Sequence, residues 1–151
     1  MNLKGNWPEG FEAWKHLSDV VLGAGLEPQL LNLVMMRASQ INGCASCLDM
    51  HSTDAVSAGE DPRRLHVLPA WRDVSWFSAR ERAALALTES VTRIGEGRTV
   101  PDDVIAEADS VLGKDGAAKL LLAIVVINGW NRINITGHAA PRRGPSLSAH
   151  S

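Results

Sequence analysis

The sequence predicts an all-α domain. Apolar residues recur three and four positions apart over most of the chain, and Pro, Gly and Asn-Gly fall where helices would start and stop. No stretch alternates apolar and polar residues as a half-buried strand does. A length of 151 residues suits one domain with a buried core. Residues 1–140 are expected to form it, and 141–151, rich in Pro, Ser and Gly, to be a disordered tail.

Each element has its own signal. From Pro8 onward, Trp14, Leu17, Val20, Val21 and Ala24 mark an amphipathic helix that Gly23 and Gly25 would end. Pro28 occupies a first helical position. The run behind it, Leu30 through Ile41, is apolar nearly all round and predicts a deeply buried helix. Asn42-Gly43 is a turn. A helix from about Cys44 to Ala58 follows, with Gly59 as its stop, and Asp61-Pro62 opens a short one. Ser78-Ala-Arg-Glu81 is a capping box ahead of Ala83, Ala84, Leu87 and Val91. Another helix should run from Pro101 to Leu112 and stop at Gly113. The last begins near Asp115 and reaches Ile127 or Ile135. Ile41-Asn-Gly43 returns as Ile127-Asn-Gly129, too short an echo to indicate a repeat.

Composition removes several function classes. The formal net charge is -2, so no basic excess draws the chain to nucleic acid or anionic lipid. The apolar run Leu120–Ile127 is far short of the ~20 residues that span a membrane. The opening residues carry no secretory pattern, and two cysteines make no disulfide scaffold. A cytoplasmic protein is expected, whose cysteines serve reversible redox chemistry or metal binding.

Those cysteines form Cys44-x-x-Cys47-x-x-x-His51. At the start of a helix the backbone N–H groups lack helical partners and the macrodipole favours an anion, so a thiol there is acidified. Residues i and i+3 share a helix face with Cβ atoms ~5–6 Å apart. A small distortion of a terminal turn brings that to the ~3.5–4.5 Å of a disulfide. His51 follows Cys47 by one turn, where an imidazole can accept the thiol proton. Cys47 is thus the candidate attacking thiolate, His51 its base and Cys44 the resolving thiol. Attack on a hydroperoxide would leave a sulfenic acid that condenses to a disulfide, reopened by an external dithiol. Two other readings stay open: an inert buried pair, or a zinc site completed by His16, His66 or His138. A thioredoxin-type site would need a βαβ pattern that is missing. Glu81 is a candidate relay acid, although its capping box explains it without function. Asp49 and Asp54 are expected in solvent. The tryptophans at 7, 14, 71, 76 and 130 are expected as core or interface anchors, and Arg132 should pair with a carboxylate or a helix end.

Arg37-Ala-Ser-Gln-Ile-Asn-Gly-Cys-Ala-Ser-Cys-Leu-Asp-Met-His51 closely resembles the core of the alkylhydroperoxidase AhpD proteins, within the carboxymuconolactone decarboxylase superfamily. The likeness continues through Ala70-Trp71-Arg72, Glu81-Arg-Ala-Ala-Leu85, Thr88-Glu89 and Asn128…Trp130-Asn-Arg132, covering roughly residues 25 to 135. It implies an AhpD-like helical domain built around helical hairpins and assembled as a homotrimer or homohexamer. It implies a peroxidase or disulfide reductase working through its cysteine pair, with no metal or haem, on hydroperoxides, and with a dithiol, thioredoxin-like or lipoyl-type electron donor. Cys44, Cys47 and His51 match the family's relay, but Asn32 stands where it has Glu, and Ser46 where it has His or Tyr. An amide cannot pass a proton near neutral pH, so Asn32 and Ser46 are left as orienting groups. The resemblance therefore implies a weak peroxidase, or a family member kept as a thiol sensor or structural oligomer.

Overall fold

The computed structural model describes residues 1–141, and no strand occurs among them. The helices are α1 (Leu3–Asn6), α2 (Pro8–Leu22), α3 (Pro28–Asn42), α4 (Ala45–Ser57), α5 (Pro62–Val67), α6 (Ala79–Thr92) and α7 (Asp102–Thr136). Two 3₁₀ segments, Leu68–Asp73 and Ile94–Glu96, link α5 to α6 and follow α6. The expected tail lies, from position 142 on, outside the described residues.

The expected helices are present with their expected caps. Ser78 Oγ accepts from the Glu81 N–H while Glu81 Oε2 accepts from the Ser78 N–H, completing the capping box. Pro28 and Pro62 stand at the first positions of their helices. The two helices read on either side of Gly113 are both present, joined directly at a kink within α7 where Gly113 leaves the helical conformation. Gly113, at φ 74° and ψ 155°, breaks the axis without a loop. Helix α1 and the 3₁₀ segments carry no readable signal, because one or two turns are too short to show a period.

α3 is the central helix. Nine of its fifteen residues are buried, which is why its sequence has almost no polar side. It packs on α4, α6 and α7, and α6 packs on α7. One core joins Leu30, Val34 and Ala38 of α3 to Ala84 of α6 and Leu120, Ile124 of α7. A second core holds Leu33 and Met36 against Ala55, Leu68, Trp71 and Leu85. α2 lies against α7 where Trp14 covers Gly129. A Cβ at Gly129 would sit 2.2 Å from the indole, so any other residue would have to displace Trp14. Trp130 stacks edge-on to Phe11 and Trp14 and donates to Ser18 Oγ at 2.7 Å. Of the five tryptophans, Trp7 and Trp76 are exposed rather than core, Trp76 lying beneath the Arg63 guanidinium.

A buried ion-pair hub closes the second core. Glu89 of α6 accepts from Arg37 Nε at 2.7 Å and from Trp71 Nε1 at 3.1 Å, and pairs with Arg72. Arg37 and Arg72 therefore tie α3 and the 3₁₀ segment to one carboxylate. Arg72 and Arg82 also lie over the Trp71 ring, at 4.1 and 5.0 Å. Burial alone would raise the Glu89 pKa. The hydrogen bonds from Arg72, Arg37 and Trp71, with the Arg37 charge, outweigh it and hold the carboxyl below the usual range.

Removing this carboxylate strands a buried Arg37, so Glu89→Ala should lose about 3–5 kcal/mol, read as a lower urea midpoint. A depressed carboxyl pKa contributes stability that is present above the ordinary value and lost as pH falls through the folded one. Wild-type stability should therefore drop on acidification, with a shallower drop in Glu89→Gln. Equal slopes in the two proteins would contradict this.

Candidate functional site

The turn between α3 and α4 places the cysteines. Gly43 closes α3 in the left-handed region at φ 70°, and the Cys44 N–H bonds back to the Ser39 carbonyl at 3.1 Å. Cys44 is the N-cap of α4 and Cys47 lies in its first turn. The two are joined as a disulfide with their Cα atoms 5.4 Å apart. The expected helix start and the expected pairing range thus coincide. The depth was not foreseen: each cysteine is 1% exposed.

The turn is held from α7 by side-chain amides. Asn42 Nδ2 donates to Asn128 Oδ1 at 2.9 Å and to Asn131 Oδ1 at 2.8 Å. Asn131, fully buried, donates to Ser39 Oγ at 3.0 Å, and Asn128 donates to Thr92 Oγ1 at 3.0 Å. The two asparagines of the Ile-Asn-Gly triplets are therefore partners, although the triplets are no repeat. One turn beyond Asn131, Asn134 Nδ2 donates to Cys47 Sγ at 3.3 Å. Cys44 Sγ has Ser46 Oγ at 3.6 Å.

His51 is half-buried one turn beyond Cys47 on the same helix. Among the described residues it makes no hydrogen bond to either sulfur, and in a disulfide there is no thiol proton for it to share. Burial lowers its pKa below the ordinary imidazole value, with the Asp54 charge opposing in part. Burial thus favours the neutral ring, the form that can accept a proton.

The remaining sequence candidates lie elsewhere or have other partners. Glu81 is occupied by its capping box and by Arg64 Nη2 at 2.6 Å. Asn32 is half-buried on α3, with no side-chain hydrogen bond among the described residues. His16, His66 and His138 are exposed, as is Asp54, whereas Asp49 is half-buried. Among the described residues Arg132 pairs with neither carboxylate nor helix end; it donates to the Asn128 carbonyl at 2.9 Å. A groove of about 690 Å³ runs beside α4, lined by Ser52, Thr53, Gln40 and His66, and neither cysteine lines it. Asn134 escaped the sequence reading, since an isolated asparagine on a helix looks like any surface amide. Its signal was the spacing 128, 131, 134, which puts three amides along one face.

Comparison with known proteins places this arrangement. The sequence pattern of the carboxymuconolactone decarboxylase family matches residues 8–90, over half of the chain. The chain belongs to that family. Within it the fold is AhpD-like. Atu0492 of Agrobacterium tumefaciens, a protein of unknown function provisionally assigned to AhpD-type antioxidant defence, has a crystal structure that superposes with TM-score 0.90. It is 32% identical, over 95% of this chain and 98% of that one. The uncharacterised YdfG of Bacillus subtilis strain 168 is 36% identical over 128 residues, 85% of this chain and 86% of its own. The debrominase Bmp8 shares the fold at TM-score 0.81 but only 17% identity, over 95% of this chain and 77% of that one.

The lowered His51 pKa predicts an NMR titration midpoint below 6.5, the ordinary imidazole value. The unfolded chain binds that proton more readily, so His51 costs stability as pH falls through 6.5. A midpoint above this value would show that the ring is charged in the fold.

Proposed function

We propose that this AhpD-like protein is a thiol-dependent peroxidase acting on hydroperoxides. Cys47 is the attacking thiolate, Cys44 the resolving thiol and His51 the base. The disulfide at the opening turn of α4 carries this reading, because it puts an oxidisable pair where the backbone favours a thiolate. In the forward step the Cys47 sulfur forms an S–O bond as the peroxide O–O bond breaks. The alkoxide leaves and takes the proton that His51 removed from the thiol. Cys44 then displaces the sulfenic oxygen as water, and a dithiol donor of thioredoxin-like or lipoyl type returns two electrons.

The family likeness supports an enzyme, and a cytoplasmic setting suits a pair that must be reduced again. A homotrimer or homohexamer is the proposed assembly, since Leu121, Leu122 and Val125 leave an exposed apolar stripe on α7. Sedimentation as a monomer would remove that part. A second reading, a thiol sensor without turnover, is favoured by Asn32 in the relay position and by the 1% exposure of Cys47.

Thiol titration before and after one equivalent of peroxide, with mass spectrometry of the product, tests the chemistry. Loss of two thiols with a 44–47 bridge is expected, and retention of both free thiols would end the redox reading. Steady-state peroxide consumption with a dithiol separates enzyme from sensor. Asn32→Glu should raise that rate, and an unchanged or lower rate would count against the relay argument.

A further inference from the structure

We propose that Asn134 is a catalytic residue of this site, the side-chain donor that holds the Cys47 sulfur as a thiolate when the pair is reduced. Its Nδ2 lies 3.3 Å from Cys47 Sγ. The sulfur is 1% exposed, so water cannot solvate an anion there, and a buried thiol without donors is held protonated. The positive end of the α4 macrodipole in part favours an anion in this first turn. Among the described residues Asn134 is the only side chain that donates to this sulfur. In a dry site an N–H aimed at a full charge acts more strongly than it would in water.

The neighbouring charges leave this task to the amide. On α4, His51 and Asp49 make no hydrogen bond to the sulfur. On α7, Arg132 is engaged with Asn128, and the Met1 ammonium beside that helix end donates to the Thr136 carbonyl. On α3, Arg37 is taken up by Glu89, and on α5, His66 is exposed. An amide does not titrate, so its donation is the same at every pH at which the enzyme would work. Its position is not accidental, because Asn131 one turn earlier is locked to Asn42 and Ser39. The donor also distinguishes the two sulfurs. Among the described residues the side-chain contact at Cys44 is the Ser46 hydroxyl, at 3.6 Å, so Asn134 gives Cys47 an amide donor that Cys44 does not have. Asn134 passes no proton and so does not replace the acidic relay; it lowers the cost of the anion itself.

The assignment rests on the peroxidase reading only for its catalytic meaning, and the test separates the two. In a reduced Cys44→Ser protein Cys47 is the sole thiol, and its rate of alkylation by iodoacetamide against pH reports its ionisation. Asn134→Ala should move the midpoint up by about one pH unit, roughly tenfold less thiolate at neutral pH. Asn134→Asp, nearly isosteric, should move it at least as far, because the donor is replaced by a like charge, and it carries the test if the alanine variant does not fold. An unchanged midpoint in a folded variant overturns the proposal. A shifted midpoint in a protein that consumes no peroxide leaves Asn134 in place and removes the peroxidase instead.

Discussion

The site depends on the contact between Asn42 and the amides of α7. Asn42 closes α3, one residue before the left-handed Gly43 and two before Cys44. Its single side-chain nitrogen reaches Asn128 and Asn131 together, and Asn131 returns to α3 through Ser39. Buried amides must be satisfied, so this set admits one register of α7 against the turn and few others. Everything the cysteines do follows from that register. It sets where α4 begins and which residue of α7 faces the sulfur at 47.

The Glu89 hub does for the other side of α3 what the amides do for its end. Arg37 precedes the cysteine turn on α3, and its guanidinium is held by a carboxylate that also takes the Trp71 indole and Arg72. The central helix is thus fixed by charge at Arg37 and by neutral amides at Ser39 and Asn42, and most of its residues that enter the two apolar cores come before both. The charged anchor weakens in acid, whereas the amide anchor does not titrate. Rotation of α3, and with it the cysteine turn, is constrained by both.

Much of this was legible in the chain itself. Periodicity located the helices, and Pro28, Pro62, Asn42-Gly43 and the Ser78–Glu81 box fixed their ends, because capping is local chemistry. The Cys-x-x-Cys pair was legible because the spacing at a helix start nearly determines the distance. What the chain did not reveal depends on elements far apart in sequence. The donor to Cys47 lies 87 residues away, and Glu89 looked like any acid on an amphipathic helix until α3 and the 3₁₀ segment brought three donors to it. Arg132 was expected at a carboxylate or a helix end because nothing local shows a carbonyl of its own helix to be nearer. The burial of both sulfurs was equally hidden, since it comes from packing and not from spacing.

Cys44 holds the N-cap position of α4, and in the bonded state its side chain caps nothing. Opening the bond would free an anionic sulfur at the end of a helix whose first N–H groups are short of acceptors. Conformational free energy of α4 is thereby linked to electron transfer. Whatever makes that first turn more helical favours the dithiol and makes the pair a stronger oxidant. The scaffold itself, and not only the groups touching sulfur, sets the reduction potential.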